Sequence, residues 1–262
     1  MKIEKISKDK DKICFLVKGI NNTMANTIRR SVLEIPTLAI DTVEFYKNDS
    51  ALYDEIIAHR LGLVPLKATK TFTQREKCSC KGKGCLKCSA SLKLKVKGPA
   101  MVYAKDLKAK GIEVAYPDIP IVLLDKDQEL QFSAQAILGK GNEHAKFTPG
   151  LVWFNSYPII KIEGCSECQE CANVCPRKAI SIKDKKISID PLKCDICEAC
   201  VEFSRDKEKC NIKIEPSEED FIFYIESFGQ LKPEEIFLDA IKALDDNLKE
   251  LDKKIKKLKI TK

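Results

Sequence analysis

A chain of 262 residues has room for one or two domains with a sizeable core, and 44% hydrophobic with 32% charged residues excludes a disordered or fibrous polymer. No apolar run approaches the ~18 residues of a membrane span, and the first twelve residues are charged with no apolar leader, which reads as a cytosolic protein with reduced thiols. The formal charge of +7 counts all 13 cysteines as neutral, so basicity alone makes no case for binding nucleic acid.

In chain order, Ile13, Phe15 and Val17 alternate with Cys14, Leu16 and Lys18 as a strand does, with Cys14 as a small packed hydrophobe. The stretch from Gly19 to Pro36 reads as a helix. Asn22 or Thr23 caps it, Ala25, Ile28, Val32 and Ile35 form one apolar stripe, and Pro36 ends it. Arg29 and Arg30 stand ~100° apart on that helix, so at least one points away from the stripe, either solvated or presented to a partner's carboxylate. A strand over Ile40 to Phe45 precedes a short helix from Asp54, with acids in its first turn and Gly62 as its C-cap.

Cys78, Cys80, Cys85 and Cys88 follow. Four thiols within eleven residues, separated by glycines that permit tight turning, suit a closed tetrahedral zinc site; a metal-free loop or oxidised thiols are the alternatives. Residues 91 to 163 alternate like strands, with Leu92, Leu94 and Val96, then Ile119 to Leu124 and Leu130 to Phe132. Cys165, Cys168, Cys171, Cys175 and Pro176 then make a C-x2-C-x2-C-x3-C-P run, and the spacing begins again 29 residues on with Cys194, Cys197 and Cys200. A disulfide framework needs no such matching runs. Short strands flank them: Ile180/Ile182 and Ile187/Ile189 on either side of Asp184-Lys185, and Ile212/Ile214 beyond Cys210.

After a strand over Ile222 to Ile225 comes the clearest helix, with Pro233 at its first position and Glu234 and Glu235 in its first turn. Phe237, Ile241, Leu244, Leu248, Leu251, Ile255 and Leu258 recur at 4,3 spacing, a heptad seam of roughly 38 Å. A seam this long calls for another helix, either the Ala25–Ile35 stripe of this chain or one from a partner. His59 and His144 are the only histidines, and neither sits in a pattern with a nucleophile or carboxylate. There is no Gly-rich phosphate loop and no nucleophile elbow.

Two resemblances organise these elements. The cysteine stretch is similar to the two-cluster cassette of bacterial-type ferredoxins. That likeness implies cross-pairing, with Cys165, Cys168, Cys171 and Cys210 on one 4Fe–4S cluster and Cys194, Cys197, Cys200 and Cys175 on the other. The second half departs from the pattern: nine residues separate Cys200 from Cys210, and Asn211 replaces the proline. With two clusters and one zinc, each carrying −2 with its four thiolates, the charge of +7 falls to about +1.

The second resemblance lies in the segments 21–36 and 54–66, which together look like the assembly subunits of multisubunit RNA polymerases. These are the bacterial alpha amino-terminal domain, the third-largest subunit of eukaryotic polymerase II and the D-type subunits of archaeal DNA-dependent RNA polymerases. The stretches 143–158 and 229–235 resemble the archaeal members too, so the likeness covers nearly the whole chain. It implies an α+β fold in three parts. A discontinuous dimerisation domain of a sheet plus two helices spans 1–40 and 220–262, a β-rich insert domain spans 41–160 with the zinc loop 78–88, and a ferredoxin-like domain spans 161–219. It also implies a non-catalytic, cytoplasmic assembly platform that heterodimerises with subunit L, recruits the small subunits N and P and docks the second-largest subunit, without direct nucleic-acid contact. Asn26, Arg29, Arg30, Glu55, His59 and Arg60 become docking candidates, and Phe237, Ile241, Leu244, Leu248 and Leu251 the dimer seam. The rival class is a ferredoxin-type electron-transfer protein or reductase subunit. Against it stands the lack of any flavin or nicotinamide fingerprint.

Overall fold

The computed structural model describes residues 1–164, 169–183, 186–205 and 211–258. The strands begin with β1 (Lys2–Lys8), β2 (Lys12–Lys18), β3 (Thr37–Asn48), β4 (Leu66–Ala68), β5 (Ser89–Lys97), β6 (Ala100–Tyr103) and β7 (Lys108–Ala109). They continue with β8 (Ile112–Val114), β9 (Pro120–Leu124), β10 (Glu129–Gly139), β11 (Gly150–Glu163), β12 (Ile180–Lys183), β13 (Lys186–Ile189) and β14 (Asn211–Ser227). The helices are α1 (Asn22–Ser31), α2 (Asp54–Gly62), α3 (Gln169–Val174), α4 (Ala199–Arg205) and α5 (Pro233–Lys257). The class is α+β. The residues gather into two compact units, 1–8 with 14–27 and 153–224, and 9–13 with 28–152 and 225–262, where the sequence reading draws three parts.

In the first unit the sheet order is β1-β2-β14-β11. Aromatic side chains fill it: Phe15 stacks on Phe223 at 5.8 Å, and Phe154 packs on Phe221 and Phe223 at 5.5 and 5.4 Å. Pro158 is tolerated because β11 lies at the sheet edge. The hairpin of β12 and β13 pairs Ile180 with Ile189 and Ile182 with Ile187, so both strands turn isoleucines to one face. Ile180, Ile187, Ile189, Ile212 and Ile214 are buried there with Cys171 and Cys200. The predicted strands Ile212/Ile214 and Ile222–Ile225 are one strand, β14. Its polar middle, Pro216 to Asp220, breaks the hydrophobic pattern without breaking the extended backbone.

In the second unit the main sheet runs β3-β10-β5-β7, with small pairs β4–β8 and β6–β9 beside it. β10 and β5 pair without a register break from Glu129↔Lys97 to Ile137↔Ser89. Leu92 and Leu94 therefore enter one core with Phe132, Leu130, Ile57 and Leu61, while Lys93, Lys95 and Lys97 face out. α2 packs on β3 and β9, and α5 packs on the 3-10 turn Val32–Glu34 that extends α1.

Local expectations meet three corrections. The cap of α1 is Asn21, whose Oδ1 accepts the Met24 N–H at 2.8 Å, not Asn22 or Thr23. Gly62 is the last residue of α2, and the C-cap is Leu63 in right-handed conformation (φ −90°), so no left-handed glycine ends that helix. The alternation of β2 is incomplete because Leu16 is buried along with Phe15 and Val17.

Candidate metal centres and partner faces

A 3-10 turn, Arg75–Lys77, leads into the first cysteine loop, and β5 takes the chain up again at Ser89. Between them the backbone turns left-handed at Lys81 (φ 52°), Gly82 (φ 82°) and Gly84 (φ 85°), a conformation glycine adopts without Cβ penalty. That path gathers the thiols. Sγ of Cys78 and Cys85 stand 3.5 Å apart, Cys80 and Cys88 3.5 Å, Cys85 and Cys88 3.8 Å, and all four sulfurs lie within 4.8 Å of one another. Sulfurs at ~2.3 Å from a tetrahedral zinc would be about 3.8 Å apart, so this donor set fits that ion.

Ionisation within the quartet is uneven. Burial opposes charge on Cys80, yet contacts with Cys78 and Cys88 and the Gly84 N–H bring its pKa down to about 6. The Cys85 N–H favours charge on Cys88, but burial and the neighbouring thiols push it up to about 11. Like charges at this spacing cannot coexist without a cation between them, and a divalent metal removes the conflict.

In the other unit, Cys175, Cys194, Cys197 and Cys200 line one hollow with Ala179, Ile180, Ile189 and Ile214. Cys175 directly follows α3, and Cys200 sits in the first turn of α4. The backbone is left-handed at Ile196 (φ 57°) and Glu198 (φ 60°), on either side of Cys197. For side-chain-bearing residues that conformation costs about 1–2 kcal/mol each, and it bends the loop around the hollow. The Ala179 N–H donates to Cys175 Sγ at 3.3 Å, a backbone donor of the kind that tunes cluster sulfurs. Burial pushes the Cys194 and Cys200 thiols up. Four thiols around an apolar hollow fit an iron–sulfur cluster, and they are the four that the ferredoxin likeness groups together. Of the other set, Cys171 is fully buried in α3, and Cys165, Cys168 and Cys210 lie outside the described residues.

The seam of α5 divides. Pro233, Ile236, Phe237 and Ala240 are buried, Ile241 and Leu244 half-buried, while Leu248 (55%), Leu251 (53%), Ile255 (49%) and Leu258 (68%) are exposed. Ion pairs Lys254–Glu250 (2.8 Å) and Lys256–Asp252 (2.6 Å) support the exposed turns at i,i+4. Among the docking candidates, Asn26, Arg30, Glu55 and His59 are exposed and Arg29 is half-buried. Arg60 is exposed too, and its Nη1 donates to the Ile121 carbonyl of β9 at 2.6 Å, tying α2 to that strand.

Comparison with known proteins agrees with both halves of this geometry. Residues 34–151 match the RNA polymerase Rpb3/RpoA insert domain, and residues 157–203 match the 4Fe-4S dicluster domain, a span that stops short of Cys210. The chain is 39% identical over 246 residues to the DNA-directed RNA polymerase subunit Rpo3 of Methanothermobacter thermautotrophicus, covering 90% of this chain and 92% of that one. The chain belongs to the Rpo3 family. Rpo3 of Methanosphaera stadtmanae is 37% identical (94% and 95% covered) and that of Archaeoglobus fulgidus 35% identical (97% of each). As an Rpo3 family member the chain is an RNA polymerase subunit with an iron–sulfur-binding, ferredoxin-like domain. No helix among the described residues is long and apolar enough to cross a membrane.

Sequence reasoning misses Arg75, whose guanidinium lies against the cysteine loop at Gly84. No motif joins those two positions.

Proposed function

We propose that this Rpo3 family member is a non-catalytic assembly platform. It pairs with the small subunit L through α5 and α1, recruits the small subunits N and P, and docks the second-largest subunit through Asn26, Arg29, Arg30 and the α2 surface of Glu55 and His59. The parts divide as 1–40 with 220–262 for dimerisation, 41–160 for the insert, and 161–219 for the clusters. One observation carries this reading: α5 buries its first apolar turns on its own chain and leaves the seam from Leu248 onward exposed on a helix otherwise lined with lysines and acids.

Two 4Fe–4S clusters and one zinc then act through folding linkage. A cysteine-rich lobe has too small an apolar core to hold its loops, so bound metal contributes directly to the folded state.

Co-expression with subunit L tests the reading. The wild-type chain forms a 1:1 heterodimer, and Leu248→Asp with Leu251→Asp leaves two separate monomers of unchanged helix content. A heterodimer unaffected by both substitutions sinks the seam assignment.

A further inference from the structure

We propose that the tip of the Cys78–Cys88 loop is a docking knob for an acidic segment of a partner protein, with Leu86 as its apolar anchor and Lys81, Lys83 and Lys87 as its charged rim. The proposal goes beyond the platform reading, since it assigns a surface outside α1, α2 and α5. It needs only the folded path of the loop, whatever ion the thiols hold.

Leu86 is 80% exposed, more than any other large apolar side chain among the described residues. A lone leucine on a surface is ordinary, so what singles this one out is how it is held. The carbonyls of three consecutive residues are each tied down. Cys85 accepts the Cys88 and Ser89 N–H groups at 2.9 Å, Leu86 accepts the Lys70 ammonium at 3.0 Å, and Lys87 accepts the Thr73 N–H at 2.8 Å. The backbone beneath Leu86 is therefore fixed before any partner arrives, and a side chain presented this way loses little conformational freedom on burial.

The surroundings specify the partner's charge. Residues 67–88 carry seven lysine and arginine side chains against one carboxylate, Glu76. Lys81, Lys83 and Lys87 are exposed, and their side chains make no ion pair among the described residues. An apolar anchor with a rim of one charge fits a protein surface that offers an apolar slot edged with carboxylates. It does not suit a nucleic acid. A phosphate backbone has no slot for a leucine, and bases stack on exposed aromatic rings. The one aromatic ring of this stretch, Phe72, is buried, with the Lys70 ammonium 4.9 Å from its centroid.

Fluorescence anisotropy of the full chain with three labelled probes tests this: a peptide interleaving glutamate with leucine and phenylalanine, a peptide of glutamate alone with the same charge, and an oligothymidylate. The interleaved peptide binds wild type best. Leu86→Ser weakens it roughly tenfold with metal content and circular dichroism unchanged. Lys83→Gln with Lys87→Gln weakens it by a similar factor and flattens its dependence on salt. Failure of the interleaved peptide to bind wild type, equal binding of the two peptides, or Leu86→Ser with wild-type affinity overturns the proposal. So does oligothymidylate binding more tightly than either peptide, which would make the loop a nucleic-acid contact. Self-association of the full chain that Leu86→Ser abolishes would also overturn it, placing a second copy on the knob.

Discussion

The sulfurs of Cys80 and Cys88 stand 3.5 Å apart although eight positions separate them in the chain. That approach is produced by left-handed turns at Lys81, Gly82 and Gly84, not by packing of large side chains, because the loop between is exposed at Lys81, Gly82, Lys83 and Leu86. On the zinc reading, bound metal holds a loop of this kind in its form.

Zinc content follows. Elemental analysis of the purified wild-type chain gives one zinc, and Cys80→Ser or Cys88→Ser reduces it well below one. With zinc present at about a hundred times its dissociation constant, binding contributes ~2.7 kcal/mol to the unit that holds the loop, read as a chelator-sensitive fall in melting temperature. Equal zinc in wild type and both variants would contradict the assignment.

The hollow shared by Cys175, Cys194, Cys197 and Cys200 makes a pairing prediction. Cys175→Ser and Cys194→Ser each remove iron from the same cluster, so the double variant loses no more iron and sulfide than either single one. Cys165→Ser with Cys194→Ser loses about twice as much. Additive losses for Cys175 and Cys194 would place them on different clusters.

Within α5, position decides outcome. Phe237 is 7% exposed, and Phe237→Ala should cost about 3–5 kcal/mol of the chain's own stability through lost burial and the cavity left behind. Leu251→Asp, on the exposed stretch, should stay within about 0.5 kcal/mol while still removing the heterodimer. Denaturant titration of the isolated chain separates the two effects; a large loss in Leu251→Asp would mean its own chain covers that turn.

Gly229 lies in the lead-in to α5 at φ 101°, and a Cβ there would come within 2.8 Å of the Tyr116 ring and 2.9 Å of Ala115 Cβ. Gly229→Ala should destabilise the chain by about 1–3 kcal/mol, since backbone strain and close contact act together. An unchanged melting curve would show that the loop relaxes freely.

Cys14 predicts a pH effect. Burial raises its thiol pKa, opposed by a hydrogen bond with Tyr224. Ionisation is disfavoured in the fold, so the stability linked to the neutral thiol is present below the ordinary thiol pKa and falls as pH rises through the shifted one. The difference in unfolding free energy between wild type and Cys14→Ala should therefore move against the wild type only as pH rises above the ordinary thiol range. A pH-independent difference would rule out the linkage.

The features legible in the sequence are those whose physics is local or periodic. The grouping of Cys175 with Cys194, Cys197 and Cys200 comes from the likeness to the ferredoxin cassette, since spacing alone would leave Cys175 with Cys171, whereas thiol spacing by itself brings Cys78 to Cys88 together before any fold is known. The heptad of α5 is visible for the same reason, but period alone cannot say that the chain covers Phe237 and leaves Leu248 open. The end of α2 escapes a sequence reading because a glycine at a helix end is only a statistical stop; here Leu63 continues right-handed. β14 reads as two strands because hydrophobicity lapses at Pro216 to Asp220 while the backbone stays extended. The Arg75–Gly84 contact carries no signal at all, since a guanidinium reaching a glycine has no spacing rule.

Native affinity purification from the source cells under strictly anaerobic conditions, with quantitative mass spectrometry of what co-purifies, tests the platform reading most directly. The account predicts the large polymerase subunits and a small dimer partner in near-stoichiometric amounts. Recovery of flavoproteins or other electron-transfer partners with no polymerase subunits would contradict it.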